Sequence, residues 1–182
     1  MNKLRLIPLV FLWLGNAALA DDNMDAVLSA SVGDWEGQLY YLDYQSGERF
    51  GIPMRMTASV TPDGVTLKRD LTYTDPGVLV HAVNLLTVDR DTGELVEAFF
   101  REGRGELFRF DIVSVTYDGP EQWRVVYEQD GVDDDRPARI RHTMTRNGVS
   151  MDSTKEVRFA DSGDEFFLRN GSELKLIDPR SP

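Results

Sequence analysis

Two histidines and no cysteine set narrow limits on the chemistry open to this chain of 182 residues. Without Cys there is no disulfide and no lipid-modified N-terminal Cys. His142 lies where Ile140, His142 and Met144 alternate with Arg139, Arg141 and Thr143. Successive strand side chains point to opposite faces, so His142 shares the apolar face. An imidazole in that position can hydrogen-bond a ligand or act as a general base. A histidine satisfied inside an ordinary core is the commoner outcome of such a pattern. No nucleophile or orienting carboxylate is spaced to complete a catalytic set, so no catalytic residue is assigned. His81 sits in residues 78–88, which are apolar on both parities, and receives no role.

Tyr40, Tyr41 and Tyr44, with Met54 and Met56, place aromatic and thioether groups on adjoining strands. Such groups make adaptable walls for an apolar pocket, and they also make ordinary cores. The candidate ligand-binding set is Trp35, Tyr41, Met54, Met56, Ile140, His142 and Met144. The acidic stretches 89–94 and 130–135 lack the spacing of a calcium loop and read as solvated hairpin tips, so no metal site is expected.

The element that must position these groups begins at Gly33-Asp34-Trp35. Trp35, Gly37, Leu39 and Tyr41 fall on one parity, and Glu36, Gln38 and Tyr40 on the other. This is a first strand whose inner row starts with a Trp large enough to plug a barrel end. Turn signals follow at intervals of roughly 8–12 residues: Pro62-Asp63-Gly64, Pro76-Gly77 and, strongest of all, Asn147-Gly148. Residues 130–137 read as an acidic loop, and 166–177 as a last strand kinked at Gly171. About ten strands joined by short turns, with no crossover helix, predict an all-β fold. The expected architecture is a single antiparallel up-and-down barrel whose closure removes exposed edges. Residues 21–31, with Met24, Val27 and Leu28 on one side, predict a short leader helix closing one end. A closed barrel of more than about eight strands is wide enough to hold a ligand.

Residues 1–20 read as a secretory signal peptide: Lys3 and Arg5, an apolar run over 6–14, then Ala18-Leu19-Ala20. The barrel domain is then 21–182. Removing 20 of 182 residues leaves 162 and takes away two positive charges, so the formal charge of −11 becomes −13. One domain of that size carries a sizeable core. The acidic balance argues against nucleic acid and anionic membranes as partners. An outer-membrane barrel is excluded by Arg55, Lys68, Asp70, Arg139 and Arg141 on the outward parity. The expectation is a monomer, exported to a bacterial periplasm or secreted, that binds a small apolar ligand or lipid.

The Gly33-Asp34-Trp35 start, the meander and the length resemble the calycin superfamily, the lipocalins and fatty-acid-binding proteins. That resemblance implies a basic residue from a late strand packed across the Trp, with Arg158 or Arg169 in that place. The strand number is closer to the ten-stranded fatty-acid-binding type. That type inserts a helix pair where this chain has a turn at 45–48, and its Arg-x-Tyr clamp is absent, so fatty acid is not implied. Haem-binding ten-stranded barrels, which the chain also resembles, imply that His142 could ligate haem; the residues themselves nominate no cofactor. Binding in the lumen ranks first. A lipid or lipoprotein carrier built on an open barrel comes second, and an enzyme using His142 third.

Overall fold

The structure is a computed structural model and describes residues 16–43, 46–160 and 163–177. Helix α1 (Asn16–Ala30) precedes β1 (Gly33–Leu42), β2 (Arg49–Val60), β3 (Leu67–Asp75), β4 (Val78–Val88) and β5 (Leu95–Arg101). Then come β6 (Arg104–Gly119), β7 (Gln122–Asp133), β8 (Arg136–Asn147), β9 (Ser150–Phe159) and β10 (Phe167–Leu176). Every strand pairs antiparallel with its neighbours in sequence, and β10 returns to β1, from Trp35 opposite Leu176 to Tyr41 opposite Asn170. The ring is closed, as the regular turn spacing implies. Residues 1–15 of the expected signal peptide lie outside the described residues; 16–20 begin α1.

α1 starts earlier than the expected 21, and its buried Met24, Val27 and Leu28 seal one end of the barrel against β2, β4, β6 and β7. Asp25 pairs with Arg90 of the β4–β5 turn and fastens the helix there. Trp35, 0% exposed, lies beneath it. Its Nε1 donates to the Ser31 carbonyl at 3.1 Å, and Ser31 Oγ donates to the Val27 carbonyl at 2.8 Å. The basic residue over the Trp is Arg146 of β8, 5.0 Å from the ring centre, which also donates to the carbonyls of Ala30 and Gly148. Arg158 and Arg169 cannot take that place because they lie toward the opposite ends of their strands. Arg158 stacks outside on Phe166, and Arg169 meets Asp133 at the mouth.

Three further details differ from expectation. The acidic stretch 130–137 is no loop. β7 and β8 run through it to a two-residue turn at Asp134-Asp135, whose φ angles of 52° and 55° Asp tolerates better than most residues. An extra residue at Val113 shifts the register of β6. The inner row accordingly moves from Phe108, Phe110 and Ile112 to Val115 and Tyr117. In β10 the irregularity falls at Arg169, between Leu168 and Asn170. Gly171 serves a different purpose: a Cβ there would collide with the Ser153 carbonyl and with Tyr40, whose ring covers the gap from the outer face.

Candidate functional site

At the end reached by the β3–β4, β5–β6 and β7–β8 hairpins the barrel is open. Two adjoining spaces occupy it, an inner chamber of about 250 Å³ and a vestibule of about 820 Å³. Glu97, Phe99, His142 and Asn170 line both. Alternation supplies the chamber's apolar floor: Met54 and Met56 from β2, Leu71 from β3, Met144 from β8, Met151 from β9 and Leu174 from β10.

A polar ledge crosses this floor. Arg69 Nε donates to Asn84 Oδ1 at 2.9 Å, Asn84 donates to Glu97, and the Arg69 guanidinium stands 3.6 Å from Glu97. His142 is held between Tyr127 on β7 and Lys155 on β9, the residues directly opposite it. Its ring stacks on Tyr127 (5.2 Å, 9°) and meets Phe110 edge-on at 5.4 Å. Neither ring nitrogen makes a hydrogen bond with a described residue. Burial, helped by the positive charges of Lys155 and Arg69, pulls its pKa down to about 4, so the imidazole is neutral at neutral pH. Burial likewise pushes the Tyr127 and Tyr73 phenols up. Toward the mouth, Asp133 joins Lys155 at 2.9 Å and Arg169. Burial opposes its charge, but the hydrogen bonds from those two cations hold its carboxyl below the usual range.

Met54, Met56, Met144 and His142 of the expected set thus meet in the chamber, and Tyr41 and Ile140 join His142 in the vestibule. Trp35 is at the sealed end and lines neither space. Tyr40 faces outward, and Tyr44 lies outside the described residues. His81 is on the outer face of β4, 3.2 Å from Thr72. Arg69, Asn84, Glu97 and Lys155 were missed. The signal was available for Arg69 and Glu97, which interrupt an apolar parity, Arg69 between Leu67 and Leu71 and Glu97 between Leu95 and Phe99. Chemically the site is a container with one neutral imidazole. Glu97 and Asp152 both line the chamber; Glu97 is tied by Asn84 and Arg69, and neither carboxylate bonds His142.

A larger hollow, about 1140 Å³, lies outside the barrel over β1, β2, β9 and β10. Its walls include the surface charges Glu36, Arg55, Glu173 and Lys175. It is relief on the outer face, not an enclosure.

No protein-family model matches the chain, and no curated protein matches it. Among solved structures it is similar to the crystal structure of Rv2717c from M. tuberculosis, with a TM-score of 0.58 and 12% sequence identity. The match covers 91% of this chain and 99% of that one. At that identity the likeness speaks for the barrel fold alone.

Proposed function

We propose that the barrel binds a small molecule whose apolar body fills the Met-lined chamber and whose polar end is met by His142. One observation carries this reading: a neutral imidazole, without a hydrogen-bond partner among the described residues, faces a space the side chains leave unfilled. His142 is half-buried, and its ring nitrogens are not among the buried polar atoms left without a partner, so they reach the accessible space where a ligand atom can meet them. The Trp35–Arg146 pair supports kinship with the calycins. Export fits residues 1–20, since cleavage after Ala20 leaves Met24, Val27 and Leu28 in place as the plug. The closed ring offers no open concave face, so carriage of a lipid would have to use the lumen. Native mass spectrometry of protein purified without denaturant tests the reading, together with titration of an uncharged apolar fluorophore. Saturable 1:1 binding, blocked by Met56→Trp, is expected; no saturable binding would refute it.

A second reading gives the same imidazole to haem iron. The donor fits: it is neutral, without a hydrogen-bond partner among the described residues, and open to the larger vestibule. His142 would hold the iron through a ring nitrogen, and the iron would supply ligand or redox chemistry. A Soret shift on adding haem, absent in His142→Ala, would favour this reading over the first.

A further inference from the structure

The cations that face the lumen can be sorted by what neutralises them. Arg69 has Asn84 and Glu97; Lys155 and Arg169 share Asp133. Arg146 is capped by two carbonyls and the Trp35 ring, and Arg136 lies over Phe159. Arg101 and Arg104 are different. They stand directly opposite each other across the β5–β6 hairpin, on the inner row that continues to Phe99 and Phe108, and both line the vestibule. Neither makes a hydrogen bond or ion pair with any described residue. Glu106, on the same row two positions from Arg104 and opposite Phe99, pairs with neither.

Like charges directly opposite in an antiparallel pair destabilise it. Here the pair is exposed on the rim of the vestibule, in a chain whose formal charge is −11, where most of the surface repels anions. The register sets the two backbones a strand-spacing apart, within reach for both guanidinium forks to share one carboxylate or phosphate. Arg101 is close enough to Tyr73 of the inner chamber to oppose the upward push of burial on its phenol. Phe99, two residues before Arg101 on the same row, lines vestibule and chamber alike and gives an apolar path between them.

We propose that Arg101 and Arg104 form the head-group site of the lumen and that the ligand is an anionic amphiphile, a carboxylate or a phosphate. This rests on the reading of the lumen as a binding chamber. Its body runs past Phe99 to the Met-lined floor while its charged end stays at the mouth.

The test displaces an uncharged apolar fluorophore from the full chain with dodecanoate, dodecyl phosphate and dodecanol, using wild type and the double variant Arg101→Gln, Arg104→Gln. Wild type should prefer at least one of the two anions over the alcohol by roughly tenfold or more, the worth of a charge-assisted hydrogen bond. Which anion it prefers identifies the head group. The double variant should lose that preference while keeping fluorophore and dodecanol, and added salt should narrow the gap in wild type. Without ligand, Arg104→Gln should melt no lower than wild type, because a repulsive pair is removed. Equal affinity for anions and alcohol, or a preference that survives in the double variant, would overturn the assignment and leave the chamber reading intact. A fall of several degrees in Arg104→Gln would make the pair structural and overturn it too. No fluorophore binding at all would refute the chamber reading itself.

Discussion

Lowering the pH should destabilise this protein through His142 before it does so through the carboxylates held low. The ordinary histidine value is 6.5, and in the folded barrel burial brings His142 to about 4. Between those values the unfolded chain takes up a proton that the folded chain refuses, so stability falls as the pH falls. Weighing the two protonation equilibria, the loss between pH 7 and pH 5 comes to about 2 kcal/mol. Carboxylates held low, such as Asp133 and Glu128, lose their contribution only further down, as the pH passes below the ordinary carboxylate values. The assay is a set of urea melts from pH 7 to pH 5 on wild type and on His142→Phe. The Phe keeps a flat ring against Tyr127 and Phe110 but has no proton to gain. The difference between the two proteins isolates the imidazole. NMR titration of the His142 ring reads its pKa directly, with His81→Gln removing the other histidine signal. Parallel melts across the range, or a His142 pKa near 6.5, would show that the ring is solvated and that the unpartnered imidazole is not an open ligand position.

Trp35→Ala should cost about 3–5 kcal/mol in urea melts, as large-to-small changes of buried aromatics do. A loss below about 1 kcal/mol would mean that α1 does not press on it. Gly171→Ala should cost about 1–3 kcal/mol, because the new methyl meets the Ser153 carbonyl, which cannot move without breaking the β9–β10 ladder. An unchanged melting temperature would refute that close approach. Millimolar calcium should leave the melting temperature unchanged, since Asp133 is occupied by Lys155 and Arg169. A rise of several degrees, abolished by Asp133→Asn with Asp135→Asn, would overturn the reading of the β7–β8 tip as a plain turn.

The barrel was legible in the sequence because its rules are local. Alternation along 33–42 put Trp35 on the inner row, and Asn147-Gly148 marked the β8–β9 turn. The Met54, Met56, His142 and Met144 wall followed from parity alone. What stayed hidden depends on contacts between distant strands. Arg146 and Arg158 are both late-strand arginines, and only the register that sets Arg146 opposite Trp123 puts it at the sealed end. β4 is apolar on both parities, so nothing local shows that its inner row carries the buried Asn84. The run of aspartates at 133–135 looked like a loop because the cations that tie down Asp133 lie more than twenty residues further along the chain.

The pairing of β1 with β10 has a consequence for how the chain folds. Strands β1 to β9 can zip together one hairpin at a time, each contact reaching only a short way along the chain. The last seam joins Trp35 to Leu176, the two extremes of the barrel, and carries the greatest loop entropy of any contact in the sheet. Until it forms, β1 and β10 are raw edges of the kind that recruit other chains, and without β10 the second edge is β9. A chain truncated before Phe167 should therefore aggregate rather than fold to a slightly weaker barrel. In the full chain, closing that seam should be the slow step, and light scattering during refolding should rise and fall with its rate.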